Sequence, residues 1–169
     1  MGEHIERTLV LIKPDGLRRG ISMEILSRFE RVGLKIIGLK MIHVNREFAE
    51  KHYTHEDITV RHGEAIRNQL LDYITEGPVI AVILEGVASV KVVRKICGST
   101  EPATASPGTI RGDYCHQSYA LSNDVGKAIY NVIHASATPE EGAKESELWF
   151  SPSDLVEYKR SDEAEHRYQ

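Results

Sequence analysis

Short apolar runs recur along the chain and predict the strands of a small sheet. Residues 8–12 and 79–84 are almost wholly apolar, which is typical of buried strands. The second of these runs is apolar throughout, so we expect it to be a central strand. Residues 34–44 form a longer strand-like run, and residues 131–136 form a short one that carries a single histidine, His134.

Between these runs, apolar side chains recur at helical spacing. Ile21, Ile25 and Phe29 lie on one helical face, and Gly33 is placed to end that helix. Further helices are expected after Asn45, around residues 66–74, and after the possible N-caps Ser89 and Thr138. The helix start at Thr138 has the strongest sequence signal, because Thr138 is followed by proline at the first helical position and by glutamate at the third.

The remaining segments lack a regular period. Residues 13–16 read as a turn, residues 54–63 as polar and irregular, and residues 98–130 as a long loop rich in glycine and proline. A loop of that length inside a compact domain is usually functional or disordered. Residues 154–169 form a charged tail in which some helix is possible and no chemistry is evident.

The order of these elements indicates an α/β (α+β) sandwich of the split βαβ type, with a sheet of about four strands. We expect a single domain over residues 1–169, because no repeat, linker or domain boundary interrupts the pattern.

Composition narrows the class of protein. Hydrophobic residues make up 41% of the 169 residues, charged residues make up 27%, and the net charge is −4. Without an excess of basic residues, nucleic acid is not expected as a partner, and any anion site must be local. Cys97 and Cys115 form no disulfide framework and suit a reducing compartment. The first residues are too polar for a signal peptide, and no apolar run is long enough for a membrane span, so a cytoplasmic location is expected.

His134 is the candidate around which the chemistry converges. An unperturbed histidine has a pKa of about 6.5, so a neutral imidazole is available as a nucleophile, proton shuttle or metal ligand. The simpler alternative is a core histidine with one satisfied hydrogen bond. Candidate phosphate-binding groups are Lys13 at the end of a strand, Arg94, Thr100, and Arg111 between two glycines.

Three other kinds of site are excluded by spacing. The sequence has no Gly-x-x-x-x-Gly-Lys-Ser/Thr run, so a P-loop is excluded. The two cysteines have no paired histidines at zinc spacing. Residues 108–112 lack the serine of a nucleophile elbow.

Three runs together resemble the signature sequences of nucleoside diphosphate kinases. They are Lys13-Pro14-Asp15-Gly16, residues 107–113 (PGTIRGD), and residues 131–136 (NVIHAS), and they occur in the family's order. The likeness covers roughly residues 5–150. It implies a ferredoxin-like fold with a four-stranded, mainly antiparallel sheet covered by helices. The implied activity is ping-pong transfer of a γ-phosphate from a nucleoside triphosphate to a nucleoside diphosphate.

The resemblance also implies a role for each matching residue. His134 would be the nucleophile that forms phosphohistidine, Glu145 would hold its other ring nitrogen, and Ser136 would support that pair. The substrate-binding residues implied are Lys13 and Asn131 at the ribose and phosphate, Arg94, Thr100 and Arg111 at the phosphates, and Tyr53 lining the nucleophile's pocket. Mg²⁺ would arrive on the nucleotide, with no protein metal site. A homo-oligomer is implied, with a hexamer favoured and a tetramer possible.

The sequence departs from the family pattern mainly at two insertions, near residues 54–63 and 118–130. The first lacks the Pro-Phe-Phe run whose phenylalanine stacks on the base, and Ile58 or Val60 are the candidate substitutes. The second ends in Tyr130, where the family has an arginine, and Ala137 stands where aspartate is common.

Two further expectations follow from the residues themselves. Asn131 and His134 would face opposite sides of a regular strand, so we expect a bend that leaves Asn131 in the preceding loop. Two other classes of function stay open at this stage: a regulatory nucleotide-binding module on the same scaffold, and a structural protein in which His134 is packed and unreactive.

Overall fold

Within the described residues, four strands form one antiparallel sheet, in which the second, third, first and fourth strands along the chain lie side by side in that order. The computed structural model describes residues 4–163. The strands are β1 (Ile5–Ile12), β2 (Lys35–His43), β3 (Pro78–Val87) and β4 (Ile133–Ala135). In register, Ile12 of β1 pairs with Ile80 of β3, and Leu11 pairs with His134 of β4. The predicted sandwich, the antiparallel sheet and the central position of the 79–84 run are confirmed.

Helices cover the sheet. They are α1 (Pro14–Arg18), α2 (Ser22–Arg31), α3 (Arg46–His52), α4 (Val60–His62), α5 (Glu64–Thr75), α6 (Ser89–Cys97), α7 (Ile110–Tyr114), α8 (Tyr119–Val125) and α9 (Pro139–Trp149), with a π-helical turn at His55–Thr59 and 3-10 turns at Pro102–Thr104 and Pro152–Asp154. The expected helices α2, α3, α5, α6 and α9 are confirmed. Asn45 and Thr138 cap α3 and α9 as predicted, since each side chain accepts a backbone hydrogen bond from the first turn.

Several local predictions were wrong. Residues 13–16 do not form a turn alone, because Pro14 begins α1. Within the 54–63 segment, residues 55–62 are helical rather than irregular, and the 98–130 segment contains α7 and α8. Ser89 is not the cap of α6: Ala88 occupies that position, and the Ser89 hydroxyl donates to the carbonyl of Glu6 at 3.0 Å.

The two faces of the sheet carry separate cores, because side chains alternate along each strand. One core joins β-strand residues such as Val10 and Val82 to Phe29 of α2 and Val93 of α6. The other joins residues such as Leu11 and Ile83 to the helices that follow β2 and β4, and Trp149 is fully enclosed there. Ile133 and Ala135 belong to the first core. His134 therefore faces the side of the second core.

Helix α9 lies close against β1 through a glycine. A Cβ atom on Gly142 would stand 2.8 Å from the carbonyl oxygen of Arg7, which is too close for any larger residue without a shift of the helix. Glu145 lies one turn further along α9. The close approach therefore fixes the height at which the Glu145 carboxylate meets β4.

The C-terminal segment runs along the outer strand. The backbone N–H of Val156 donates to the carbonyl of Ile37 at 2.7 Å, and Lys35 pairs with Glu163 at 3.0 Å. Residues 155–160 form neither helix nor strand, and residues 164–169 of the expected tail lie outside the described residues. Within residues 4–163, no helix combines the length and apolar character that a bilayer span needs.

Candidate active site

A cavity of about 540 Å³ opens beside β4. It brings together eight of the nine predicted site residues as lining groups, namely Lys13, Tyr53, Arg94, Thr100, Arg111, Asn131, His134 and Glu145. Ser136, the ninth, is fully buried directly behind the cavity wall and contacts Glu145. Residues from far apart in the chain therefore converge on one side of the sheet.

The imidazole of His134 is held from one side only. Its Nε2 lies 2.9 Å and 3.1 Å from the two carboxylate oxygens of Glu145. Because an ionised carboxylate only accepts hydrogen bonds, the proton of the neutral imidazole sits on Nε2. Nδ1 then carries the lone pair, and no residue in the described part of the chain donates to it. The side chain keeps 18% of its surface exposed, so the ring is not sealed in apolar packing and stays accessible from the cavity.

Glu145 is itself fixed and charged. Ser136 donates from its hydroxyl to Glu145 Oε2 at 2.6 Å, and its oxygen accepts the N–H of Leu9 at 3.2 Å. Burial raises the pKa of Glu145, but the interactions of the carboxylate with His134, followed by those with His52 and Ser136, outweigh burial and hold the pKa at about 2. The carboxylate is therefore ionised at neutral pH.

His52 is a site residue that the sequence did not predict. Its ring packs edge-on against His134 with 4.6 Å between the centroids. Burial is the main cause that lowers the pKa of His52, and the electrostatic effect of His134 is the second. Together they bring the pKa to about 3, so this ring is neutral. Trp149 donates from Nε1 to Nδ1 of His52 at 3.2 Å, which leaves the proton on Nε2, and that atom is buried without a partner among residues 4–163. A lone histidine near a helix end carries no sequence signal of this role.

Two arginines border the histidine. Arg111 is 4% exposed, and its guanidinium donates to the carbonyls of Gly98 and Ile133, both at 2.8 Å. Its Nε has no partner within the described residues. Arg94 is exposed and donates to the carbonyl of Ala135 at 3.3 Å. Both guanidinium groups are thus anchored to the backbone on either side of His134.

Lys13 and Asn131 form a pair in the cavity wall. Lys13 Nζ donates to Asn131 Oδ1 at 2.8 Å, and Asn131 Nδ2 donates to the carbonyl of Thr100 at 2.9 Å. Burial and, after it, the charge of Arg111 lower the pKa of Lys13, Asp15 partly opposes them, and the net pKa is about 7. An anion that enters the cavity would therefore raise the pKa of Lys13 and favour its charged form.

The expected bend before β4 is present. Asn131 precedes the strand, Val132 has a φ of 58°, and β4 begins at Ile133. This local reversal lets the side chains of Asn131 and His134 line the same cavity.

The two predicted insertions supply the outer wall. Ile58 and Arg61 line the cavity from the first segment, and Tyr119 and Asn123 line it from the second. Of the two candidate base contacts, Ile58 lies in this wall, whereas Val60 is 75% exposed and lies outside it.

One group of side chains within residues 4–163 has the proximity of a metal site. Ligand atoms of His52, His134 and Glu145 all lie within 4.8 Å of one another. Two of these groups already bond each other, and Nδ1 of His52 accepts from Trp149. The cluster therefore serves to orient the imidazole.

Comparison with known proteins identifies relatives over almost the whole chain. Residues 6–155 match the family model described as nucleoside diphosphate kinase. A nucleoside diphosphate kinase of Borreliella burgdorferi is 49% identical over 164 residues, which cover 97% of this chain and 98% of that protein.

Two solved structures extend the comparison. A transition-state mimic of the nucleoside-diphosphate kinase from Borrelia burgdorferi, with bound vanadate and ADP, has a TM-score of 0.96 and 49% identity, covering 98% of this chain and 99% of that one. A halophilic nucleoside diphosphate kinase from Halobacterium salinarum in complex with CDP has a TM-score of 0.81 and 37% identity, covering 95% and 97% respectively.

The lowered pKa of Lys13 predicts a specific pH dependence of stability. The unfolded chain binds a proton at this lysine up to about pH 10.5, whereas the folded chain releases it near pH 7. The free energy of unfolding should therefore rise between pH 7 and 10.5, by on the order of a few kcal/mol from this group. Urea unfolding at several pH values should show that Lys13→Met removes this part of the rise.

Lys144→Met, which removes an exposed lysine on α9, is the matched control and should leave the pH dependence unchanged. A direct ¹³C NMR titration of the Lys13 side chain that gives an ordinary pKa near 10.5 would contradict the prediction.

Proposed function

This chain belongs to the nucleoside diphosphate kinase family, and we propose that His134 carries the phosphoryl group between its two nucleotide substrates. The family's activity is the transfer of a γ-phosphate from a nucleoside triphosphate to a nucleoside diphosphate. The observation that carries the assignment of His134 is the contact of its Nε2 with Glu145, which leaves Nδ1 directed into a cavity that Lys13, Arg94 and Arg111 help to line.

In the first half-reaction, the lone pair of His134 Nδ1 attacks the γ-phosphorus of the triphosphate. A P–N bond forms as the bond between the γ-phosphorus and the bridging oxygen breaks, and the diphosphate leaves with that electron pair. In the second half-reaction, a terminal oxygen of another diphosphate attacks the phosphorus, and the P–N electron pair returns to Nδ1. No net proton or electron is exchanged with solvent.

Glu145 supports both steps electrostatically. Attack through Nδ1 makes the ring more positive while Nε2 keeps its proton, and the carboxylate accepts that N–H throughout. With a pKa of about 2, Glu145 stays ionised across the neutral range. Ser136 limits its rotation, since the hydroxyl donates to the oxygen that also contacts His134.

The fixed cations are assigned to the phosphates. Arg94, Arg111 and the Thr100 hydroxyl would contact the phosphate groups, and the Nε of Arg111, which has no partner among residues 4–163, offers a donor for an anion. Lys13 and Asn131 would meet the ribose and the phosphate. The base would then lie toward the wall formed by the insertions, where Ile58 is the apolar candidate in place of the family's phenylalanine, and Tyr53 would line the nucleophile's pocket.

Mg²⁺ is assigned to the substrate rather than to a protein site. The carboxylates that line the cavity are Asp57, Glu141 and Glu145, and Glu145 is occupied by His134. Mg²⁺ usually keeps several waters and binds through substrate phosphates, which fits a cavity wall dominated by cations near the histidine.

The remaining assignments complete the proposal. The chain would act as one domain in the cytoplasm on nucleoside tri- and diphosphates, without nucleic acid or membrane partners. A binding module without turnover is the main alternative. It would have no use for the hydrogen bonds that orient His134 through Glu145 and Ser136.

Labelling with γ-³²P ATP tests the role of His134. In the presence of Mg²⁺ the wild-type protein should acquire label that is acid-labile and base-stable, and added GDP should remove it as GTP. His134→Ala should carry no label and show exchange reduced by several orders of magnitude, because no nucleophile remains. Chelation of Mg²⁺ should abolish labelling.

His116→Ala is the matched control, since His116 is exposed and does not line the cavity. Equal labelling of His134→Ala and wild type would contradict the mechanism. Saturable nucleotide binding without label or exchange would favour the binding module.

A homo-oligomer is also proposed, on the basis of the free edge of β2. Among the described strands, β2 pairs only with β3, and the C-terminal segment covers its other edge near Ile37. Beyond that point Leu39 and Met41 are 50% and 65% exposed. An apolar, unpaired edge is a ready site for antiparallel pairing with a second copy.

Sedimentation velocity should therefore give a mass several times the 19.0 kDa of the chain, with a hexamer favoured over a tetramer. Leu39→Lys combined with Met41→Lys should shift the protein to smaller species, because two charges would enter the paired edge. Val87→Lys, on an exposed residue of β3, should not. A wild-type protein that sediments as a monomer would refute the assignment.

A further inference from the structure

The backbone at Val132 is held in a conformation that valine strongly disfavours. Its φ of 58° lies in the left-handed region, where a β-branched side chain is an outlier. The N–H of Ile133 donates back to the carbonyl of Asn131 at 2.7 Å, which closes a three-residue γ-turn around Val132. A γ-turn with positive φ is the rare, strained form, and such strain persists only where surrounding contacts impose it.

Two buried side chains impose it. Asp15 accepts the N–H of Val132 at 3.1 Å on one carboxylate oxygen. Tyr73 donates from its hydroxyl to the other oxygen of Asp15 at 2.6 Å, and the same hydroxyl accepts the N–H of Asn131 at 3.2 Å. The carbonyl of Val132 accepts the N–H of Lys13 at 2.8 Å. Both peptide N–H groups at the start of the turn are therefore bound by the Asp15–Tyr73 pair.

The turn connects the Lys13–Asn131 pair with His134. On its N-terminal side, the Asn131 side chain binds Lys13 and the Thr100 carbonyl. On its C-terminal side, His134 enters β4 in register with Leu11. The ring of Tyr73 also lies under Lys13, with Nζ 4.7 Å from the ring centroid. A relaxed, extended Val132 would send Asn131 and His134 to opposite faces of the strand.

We propose that Asp15 and Tyr73 are positioning residues that align the nucleotide-binding pair Lys13–Asn131 with the nucleophile by holding the Val132 turn. The inference rests on the proposed role of His134. Neither positioning residue lines the cavity, and they are only 6% and 3% exposed, so their action passes through the turn rather than through contact with substrate.

The first test compares two tyrosine hydroxyls. Tyr73→Phe should lower kcat for γ-phosphate exchange by about ten- to a hundredfold, because misplacement of about 1 Å at a reacting centre has effects of this size. KM should change less than about threefold, since phosphate contacts from Arg94 and Arg111 persist.

Tyr130→Phe is the matched control. Tyr130 stacks on Tyr73 with 4.7 Å between the centroids, but its hydroxyl donates to Glu76 at the surface. This variant should retain wild-type kcat. Equal kcat values for the two variants would overturn the inference.

The second test asks whether strain at Val132 is the link. Alanine tolerates positive φ better than valine because it lacks the β-branch. The loss of kcat caused by Tyr73→Phe should therefore shrink at least about threefold when Val132→Ala is also present, as residues acting through one element are non-additive. Independent, multiplying effects on kcat would contradict the role of the turn.

A second double-mutant cycle, which changes Asp15 instead of Val132, covers the case in which Val132→Ala weakens the core. Asp15→Asn should lower kcat to a similar extent, and the Asp15→Asn/Tyr73→Phe double variant should be no slower than the slower single variant by more than about twofold. Circular dichroism confirms folding of each variant. Failure of the proposed function would show differently, as a wild-type protein that takes no label on His134.

Discussion

The hydrogen bond between His134 Nε2 and Glu145 is the constraint on which the rest of the site depends. Without it, either ring nitrogen could carry the proton, and the imidazole could rotate within its pocket. With Nε2 2.9 Å from an ionised carboxylate, the tautomer and the direction of Nδ1 are both fixed. Several features of the fold stabilise this one contact, including the close approach of α9 to β1 at Gly142 and the buried hydroxyl of Ser136.

The proposed nucleophile also needs fixed positive charges around it. Arg111 is held to two carbonyls and Arg94 to a third, so their charges are in place before any substrate enters. Preorganised charges of this kind require little rearrangement as a phosphoryl group moves. Lys13 differs, because burial and Arg111 have lowered its pKa to about 7. Its charge depends on pH and on what occupies the cavity.

Much of this arrangement could be predicted from the sequence, for physical reasons that are specific to each element. The inner parts of β1 and β3, residues 9–12 and 79–84, are buried on both faces and so are apolar, and α9 carries its own capping residues. The helical segments at 55–62 were missed because they bury no residue, and α8 was missed because it buries only Ser122. Without an apolar stripe, such helices have no periodicity to detect.

The site residues that the sequence did not predict were missed for one common reason. His52, Asp15 and Tyr73 are linked to the site by contacts between residues distant in the chain, which no local sequence pattern shows. The bend at Val132 could be inferred, because Asn131 and His134 needed to face one ligand. The groups that hold the bend had no pattern of their own.

The position of the phosphorus on the His134 ring tests the central claim most directly. Phosphoenzyme prepared from ¹⁵N-histidine-labelled protein and ATP can be examined intact at alkaline pH by ³¹P–¹⁵N correlation spectroscopy. The Glu145 contact predicts that phosphorus is bonded to Nδ1 of His134, with Nε2 still protonated. Phosphorus on Nε2, or on any residue other than His134, would contradict the account.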